Sequence, residues 1–353
     1  QRSEIILITG GLGPTHDDIT RSVMCQYFQC DLILNPVVLD QIRERFRHRG
    51  LPLAKSNESQ AMAPRAAQVI YNRQGTAPGY HFERSGRHMY VMPGVPHEMQ
   101  GMMSESILPE IRARQTGWFM ESKIFCTNGI AESMLYEKIG DPAEVERWAK
   151  MAFLPAPSGV QVRLIAQGAS ADEARQKLEQ AAARVAERAG RYIYADHECT
   201  LEQVVAELLV QRQATVAAAE SCTGGLVAHK LTNIAGSSAY FERGVVCYSN
   251  RAKTELLQVP AALIEQHGAV SEQVAAAMAE NVRRLAGVDY GIATTGIAGP
   301  GGGSDDKPVG LVFIGVADKT GSQCERHVYS GERWLNKERF ANSALNLLRK
   351  KIL

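Results

Sequence analysis

A serine followed by small residues stands between an apolar run and a helical pattern in the C-terminal half of the chain. Residues 215–219 form a short, mostly apolar run, which indicates a buried strand. This run leads to Ser221 and to a turn that ends in two glycines. Glycines let the backbone approach a ligand closely, and the N–H groups that open the next helix favour an anion. Ser221 is therefore a candidate nucleophile, with N–H groups near Ser221 and Thr223 for the oxyanion. The alternative is a helix-capping serine with packing glycines.

A serine nucleophile needs a base, because its free hydroxyl is a poor nucleophile. No histidine lies in an obvious loop near Ser221, since His229 falls inside a helical pattern and His267 begins a later loop. Lys253 falls in the first turn of a predicted helix, where burial and the helix dipole lower a lysine pKa and suit a Ser–Lys pair. The alternative for Lys253 is an ordinary solvated lysine. Cys222 is a rival nucleophile, because a helix N-terminus also lowers a thiol pKa.

A glycine-dense loop, residues 296–303, follows a predicted strand that ends near Thr295. Such a loop exposes successive N–H groups and can wrap a phosphate or act as a lid. It lacks the Lys-Ser/Thr ending of a P-loop, so an NTPase is not indicated. The alternative is a flexible surface loop.

The elements that must position these residues fall into three regions. The first alternates strands (4–9, 68–72 and 88–92) with helices (18–28, 37–48 and 97–114), which predicts a parallel sheet with helices on both faces. Its first strand begins almost at residue 1 and leads directly into a glycine-rich turn. We therefore expect that further residues precede Gln1 in the complete protein.

The middle region reads as a small α+β module. It has strands at 121–127 and 161–167, a helix at 129–139, and a long helix that a capping box starts at Ser170 and Gly190 ends. The third region opens with a capping box at Thr200 and alternates helices with strands near 215–219, 244–248, 289–294, 310–317 and 323–330. It reads as an α/β domain.

Composition narrows the class of protein. The 353 residues carry a formal net charge of +1, which gives no reason to expect a nucleic-acid partner. The cysteine count is seven, without a C-x-x-C pair, so neither a thiolate zinc site nor a disulfide framework is indicated. No apolar run approaches the roughly 20 residues that span a bilayer. We expect a cytoplasmic protein with reduced thiols and no membrane association.

The C-terminal motifs together resemble the CinA C-terminal domain family, which includes the nicotinamide mononucleotide amidohydrolase PncC. The resemblance covers about residues 198–353 and lies in segments 219–225, 235–238, 248–250, 267–271 and 296–300. It implies hydrolysis of the nicotinamide amide of nicotinamide mononucleotide (NMN), without a cofactor. It places the family's catalytic serine on Ser221 and its lysine on Lys253. Further residues that it assigns to the site are Glu220, Thr223, Gly224, Tyr248, Asn250, Thr295, Gly296, Gly299, Gly301 and Arg333, with Thr295 and Tyr248 counted as catalytic and Arg333 as a phosphate or carboxylate contact.

The N-terminal region resembles the molybdopterin-binding-like domain of full-length CinA proteins, in segments 9–18, 75–79 and 92–99. The resemblance implies an ADP-ribose pyrophosphatase that uses a divalent ion of the Mg²⁺ or Co²⁺ class, with K⁺ as a further candidate. The glycines would open a phosphate cradle, and hard carboxylate oxygens suit such an ion. The nucleotide-binding candidates are Thr9, Gly10, Gly11, Gly13, Asp18, Gly94 and Pro96, and the metal-ligand candidates are Asp17, Asp18 and Glu98. The alternative for these carboxylates is charge that complements a helix dipole.

The middle region resembles the KH-like linker module of CinA. It has no GXXG loop, so RNA binding is not implied. We therefore expect three domains, at residues 1–115, 116–197 and 198–353, and the family resemblance suggests a homodimer. The function expected is a pyridine-nucleotide salvage enzyme. The alternative is a non-catalytic nucleotide- or pterin-binding protein that acts through partners.

Overall fold

The computed structural model describes residues 3–52, 55–114 and 117–353. The chain forms two compact units, the N-terminal unit (Gln1–Gly117) and the C-terminal unit (Trp118–Leu353). The mixed α/β class predicted from the sequence is confirmed.

The N-terminal unit contains one mixed sheet and a two-stranded ribbon. Its strands are β1 Ile5–Thr9, β2 Leu32–Leu34, β3 Met62–Pro64, β4 Gln68–Ile70, β5 Gly79–Arg84 and β6 Arg87–Met92. Its helices are α1 Thr20–Phe28, α2 Pro36–His48, α3 Lys55–Glu58, α4 Pro96–Met102 and α5 Leu108–Ala113, with a π-helical turn at Met103–Ile107 between the last two. The sheet order is β1-β6-β5-β4, and β2 pairs with β3.

The predicted parallel sheet of this unit is wrong, because only β1 and β6 run parallel. Strands β5 and β6 are joined by the two-residue turn Ser85-Gly86, in which both residues have positive φ. A turn of this kind makes an antiparallel hairpin, whereas parallel neighbours need a long crossover. The sequence analysis missed β5, and with it the hairpin.

The middle module of the C-terminal unit is an antiparallel sheet covered by a helix. Its strands are β7 Phe119–Thr127, β8 Lys150–Ala156, β9 Gly159–Gly168 and β10 Ile193–Ala195, and its helices are α6 Glu132–Ile139, α7 Ala143–Glu146 and α8 Ala171–Ala189. The order is β10-β7-β9-β8, so β8 is an edge strand, where the Pro155 in its sequence is tolerated. Gly190 ends α8 as predicted, with a right-handed φ of −52°, and opens a 3₁₀ turn.

The C-terminal domain carries a five-stranded mixed sheet. Its strands are β11 Val216–Glu220, β12 Phe241–Val246, β13 Tyr290–Gly296, β14 Leu311–Asp318 and β15 Gly321–Val328. Its helices are α9 Leu201–Gln211, α10 Leu226–Thr232, α11 Asn250–Leu257, α12 Ala261–His267, α13 Glu272–Ala286 and α14 Arg333–Ile352. The order is β12-β11-β13-β14-β15. Strand β11 is parallel to β12 and β13, and β14 is antiparallel to both β13 and β15.

Strand β11 is buried on both faces. Val216 and Ala218 belong to the core that α9 and α14 cover, and Ala217 and Ala219 belong to the core that α13 covers. This alternation follows from the two-residue period of a strand. Because β12, β11 and β13 are parallel, their carboxyl ends meet at one edge of the sheet. That edge is where the candidate nucleophile lies.

Candidate active site

Ser221 and Lys253 are in hydrogen-bond contact. Ser221 directly follows β11, and Lys253 lies in the first turns of α11, which follows the neighbouring strand β12. Lys253 Nζ is 2.9 Å from Ser221 Oγ. Lys253 is only 1 % exposed and Ser221 only 8 %. The structure therefore brings the predicted nucleophile and the predicted base together in a buried pair.

The other contacts of Lys253 are with backbone carbonyls. Its Nζ lies 3.0 Å from Cys247 O and 3.4 Å from Tyr248 O, and it forms no ion pair with a carboxylate of the described residues. Burial lowers the pKa of Lys253, because the charged form is poorly solvated there. A neutral amine has two N–H donors for the two carbonyls and a lone pair for the serine hydroxyl. Lys253 is therefore suited to accept the proton of Ser221.

The thiol of Cys222 lies in a different environment from the Ser221 hydroxyl. Burial raises the pKa of Cys222 to about 12. The expectation that a helix N-terminus lowers this pKa is wrong, because α10 begins only at Leu226. Since the thiolate is the reactive form of a cysteine, the environment favours Ser221 as the nucleophile.

The Glu220 carboxylate occupies the N-terminus of α10. It accepts hydrogen bonds from the backbone N–H groups of Gly225 at 2.9 Å, Val227 at 3.1 Å and Ala228 at 2.8 Å. The side chain is buried and does not line the active-site cavity. A substrate contact was predicted for Glu220. Its carboxylate instead binds the N–H groups at the start of α10 and holds the turn that carries Ser221 in place.

Thr223 and Gly224 also lie outside the cavity lining, contrary to the substrate contacts predicted for them. The Thr223 hydroxyl is buried and lies 2.7 Å from the Thr294 hydroxyl, so it ties the turn to β13. Gly224 and Gly225 have φ values of +62° and +97°, which glycine adopts without strain. The Thr223 side chain and the two glycines therefore shape the turn.

The backbone N–H groups around Ser221 differ in whether they already donate a hydrogen bond. The N–H of Ser221 donates to Thr294 O at 3.0 Å, so the part expected for it in binding an oxyanion is excluded. The N–H groups of Cys222 and Thr223 have no acceptor within the described parts of the chain. They are the remaining candidates from the same turn.

The Ser–Lys pair opens into a cavity of about 270 Å³. Seven of the residues predicted around the pair line it, namely Tyr248, Asn250, Thr295, Gly296, Gly299, Gly301 and Arg333. Gly302 of the predicted glycine-dense loop also lines the cavity, whereas no individual role was predicted for the other lining residues, Ala269, Val270, Ile297 and Ala298. Ala269 and Val270 belong to a motif that carried the family resemblance, so a signal for them existed.

Arg333 joins the two rims of the cavity. It is the first residue of α14 and donates to Gly299 O at 2.7 Å and to the Tyr248 hydroxyl at 3.0 Å. Its guanidinium is exposed and positively charged at the cavity entrance. Across the cavity, the Thr295 hydroxyl donates to Ala269 O at 2.7 Å, which holds the loop before α13.

Asn336 is a buried residue of the site that the sequence analysis missed. Its side-chain N–H group donates to Ala298 O at 3.1 Å and to Gly331 O at 2.9 Å. It thereby anchors the glycine-dense loop to the start of α14. A signal existed in the sequence, because Asn336 shares the helical spacing of the buried Phe340 and Ala344.

The glycine-rich turn of the N-terminal unit lines a second cavity, of about 350 Å³. Its lining includes the predicted residues Gly10, Gly11, Gly13, Asp18, Gly94 and Glu98. Thr9 ends β1 and Pro96 opens α4, and neither is part of the lining. A Cβ on Gly94 would lie 3.2 Å from the Cα of Gly10, so this close approach of two loops depends on glycine.

The three predicted metal ligands do not converge. Asp18 accepts hydrogen bonds from the Thr15 N–H at 3.0 Å and the Thr15 hydroxyl at 2.5 Å, and the hydroxyl lowers the pKa of Asp18. Glu98 accepts from Asn72 Nδ2 at 2.7 Å, and Asp17 is exposed outside the cavity. Among the described residues, the group that converges within 4.8 Å is a different one, His81, His88 and Glu110. Asp18 and Glu98 alone face the cavity.

Sequence comparisons place these sites in a family. Residues 198–352 match the CinA C-terminal domain, residues 122–195 the damage-inducible protein CinA KH domain, and residues 1–113 a domain described as "Probable molybdopterin binding domain". A CinA-like protein of Salinibacter ruber is 41% identical over 352 residues, which are 99% of this chain and 85% of that protein. The chain belongs to the CinA family.

Another CinA-like protein, of Chloroherpeton thalassium, is 41% identical over 356 residues, covering 98% of this chain and 84% of that one. A crystal structure of the competence/damage inducible protein CihA from Agrobacterium tumefaciens is 39% identical, covers 42% of this chain and 91% of that chain, and has a TM-score of 0.41. None of the described helices of this CinA family member is both long and apolar enough to cross a bilayer.

Proposed function

We propose that the C-terminal domain hydrolyses the amide bond of NMN and releases nicotinate mononucleotide and ammonia. The observation that carries this proposal is the 2.9 Å contact between Ser221 Oγ and the buried amine of Lys253. The lowered pKa of Lys253 supports a neutral base. The CinA family membership supports a hydrolase of this class.

In the first half of the reaction, Ser221 Oγ attacks the amide carbon and Lys253 accepts the hydroxyl proton. The amide oxygen gains negative charge, which the N–H groups of Cys222 and Thr223 would stabilise. The tetrahedral intermediate then expels the amide nitrogen, which takes the proton from Lys253 and leaves as ammonia. Ser221 is left as an ester of the nicotinate group.

In the second half, a water molecule attacks the ester carbon and Lys253 accepts its proton. The tetrahedral intermediate collapses, Ser221 Oγ leaves, and the proton returns to it from Lys253. Nicotinate mononucleotide is released and both side chains regain their starting states. One lysine therefore acts as base and as acid in both halves.

The lining of the cavity fits a mononucleotide. Arg333 provides a cation at the entrance, and the glycine-dense loop beside it offers backbone N–H groups, so together they would bind the phosphate. A volume of about 270 Å³ lies just below the ~300–1,000 Å³ that ligand pockets typically span. This size favours a mononucleotide over a dinucleotide.

The test is ammonia release from NMN by the purified protein. Ser221→Ala should reduce turnover by about three orders of magnitude or more, because a nucleophile and its base act as a unit. Ser238→Ala is a matched control, since Ser238 is an exposed serine of the same domain. Turnover of Ser221→Ala at the level of the Ser238→Ala control would overturn the mechanism.

We further propose that the N-terminal unit hydrolyses the pyrophosphate of ADP-ribose with a divalent cation. Asp18 and Glu98 line the glycine-rich cavity, and one or two carboxylates with substrate phosphates are a usual way to hold Mg²⁺. A bound cation of this kind neutralises the charge of the phosphates. The assay is AMP release from ADP-ribose with and without EDTA. Tight ADP-ribose binding without turnover would support the non-catalytic alternative for this unit.

We also propose that the protein acts on free nucleotides in the cytoplasm as a homodimer. The seven cysteines are free thiols, which fits a reducing compartment. Light scattering of the purified chain tests the dimer, and a monomeric mass at micromolar concentration would contradict it.

A further inference from the structure

A pair of buried histidines lies on the β5–β6 hairpin. His81 pairs with Tyr90, and His88 is two residues from Tyr90 on the same strand, so all three side chains project from one face of the sheet. His81 Nε2 is 3.0 Å from His88 Nδ1, and the residues are only 6 % and 8 % exposed. Glu110 of α5 places its Oε1 3.4 Å from His81 Nδ1.

We propose that His81, His88 and Glu110 form a binding site for a transition-metal ion of the zinc class, which holds α5 against the sheet. One ligand atom from each residue lies within 4.8 Å of the others. Two imidazoles with one carboxylate suit Zn²⁺, Co²⁺ or Ni²⁺ better than Mg²⁺.

A buried hydroxyl beside the group supports a ligand there. Tyr90 Oη is buried and has no hydrogen-bond partner among the described residues, and its ring stacks on His81 with centroids 4.4 Å apart. Buried hydroxyls are rarely unpaired, and a metal-bound water would give this one a partner.

Arg114 explains how the group is arranged without an ion. Its guanidinium lies 3.1 Å from His88 Nε2 and donates to Glu110 at 3.0 Å. When Arg114 donates a hydrogen bond to His88, His88 can donate to His81 and His81 can donate to Glu110. Both imidazole rings are neutral in this series of hydrogen bonds. A metal ion replaces the proton between the two rings. Arg114 then orients the Glu110 carboxylate from outside the coordination shell.

The site is separate from the glycine-rich cavity. His88 is near the start of β6, while that cavity begins beyond Met92 at the other end of the strand. Four residues of strand span ~13 Å. The expected role is structural, because none of the residues of α5 is fully buried, and Ile111 packs against the core only as a partly buried side chain. An ion bound to Glu110 would connect α5 to β5 and β6.

In the experiment, the purified protein is stripped of metal with EDTA and dialysed. It is then titrated with Zn²⁺ by calorimetry and with Co²⁺ by visible absorption. One ion per chain should bind, the melting temperature should rise by several degrees, and Co²⁺ should give the d–d bands of an N/O-coordinated ion. Binding should weaken about 100-fold or more in His81→Ala/His88→Ala, and should be unchanged in the matched control His16→Ala/His48→Ala, in which both histidines are exposed.

Glu110→Gln keeps the fold testable, since it changes one partly exposed carboxylate. We expect it to weaken Zn²⁺ binding at least tenfold while its circular dichroism matches that of the wild type. Absence of zinc binding by the wild type, or wild-type binding by Glu110→Gln and by the double histidine variant, would overturn the proposal. Ammonia release should be the same in all variants, so the result is independent of the proposed amidase.

Discussion

The two cavities of this CinA family member differ in how far the protein alone assembles their reactive groups. In the C-terminal domain, the proposed nucleophile Ser221 and the proposed base Lys253 are already 2.9 Å apart and buried. In the N-terminal unit, Asp18 and Glu98 are each bonded to a neighbouring side chain instead of to a common partner. The comparison indicates that the proposed amidase site is preorganised, whereas under the proposed pyrophosphatase function a bound cation and phosphate would complete the other site.

The difference follows from the sheets. Strands β12, β11 and β13 run parallel, so three successive carboxyl ends deliver Lys253, Ser221 and Thr295 to one edge. In the N-terminal sheet only β1 and β6 are parallel, and a hairpin takes the next strand away in the opposite direction. Fewer loops therefore meet at the glycine-rich cavity.

Replacement of the proposed base, Lys253, should change the contrast between the two sites most strongly. Lys253→Met removes the proton acceptor but retains most of the buried volume, and ammonia release from NMN should fall by ~10²–10⁴-fold, the usual contribution of a general base. ADP-ribose hydrolysis should not change. Lys319→Met, at an exposed lysine, is the control, and equal rates for the two variants would show that Lys253 is not the base.

Metal removal should act on the other cavity alone. EDTA should lower AMP release from ADP-ribose by ~10²–10³-fold, because the cation supplies several kcal/mol of charge stabilisation. The Ser–Lys pair needs no ion, so ammonia release should persist. Loss of both activities under EDTA would remove the contrast between the sites.

Glu220→Gln tests the internal anion of α10. The neutral amide loses the charge that meets three backbone N–H groups, so the free energy of unfolding should fall by ~1–3 kcal/mol. A lower midpoint in chemical denaturation, followed by a probe of the C-terminal domain, measures it. Glu242→Gln changes an exposed glutamate of the same domain and should leave the midpoint unchanged. An unchanged midpoint for Glu220→Gln would contradict the role given to that carboxylate.

The pH profile sharpens the assignment of the base. Lys253 is active when neutral, and burial lowers its pKa. Ammonia release should therefore rise about tenfold per pH unit below that pKa and level off above it, at a pH lower than the ~10.4 of an ordinary lysine. The unfolded chain binds this proton more readily, so stability should also rise with pH between the two pKa values. A rate that falls with rising pH over this window would exclude a lysine base.

Cys222→Ala should have the smallest effect. The thiol is buried and its pKa is raised to about 12, so we expect less than about a threefold change in ammonia release and resistance to iodoacetamide. A loss comparable to that of Ser221→Ala would assign the nucleophile to the sulfur.

The sequence predicted the reactive pair because Ser221 directly follows a strand pattern and Lys253 lies in the first turn of the helix after the next strand. The resemblance to the CinA C-terminal domain placed the family's serine and lysine on the same two residues. The sequence did not predict the role of Glu220. That role depends on a turn that brings N–H groups from five to eight residues later in the sequence back to the Glu220 carboxylate. The His81, His88 and Glu110 group was also not predicted. Its members come from two strands and a helix and are unrelated by any metal-site spacing.

The most direct test is ammonia release from NMN in the presence of EDTA by the wild type and by Ser221→Ala. The account predicts sustained turnover by the wild type and a loss of about three orders of magnitude or more in the variant. An inactive wild type, or a variant with wild-type turnover, would contradict the proposal that Ser221 and Lys253 form the amidase.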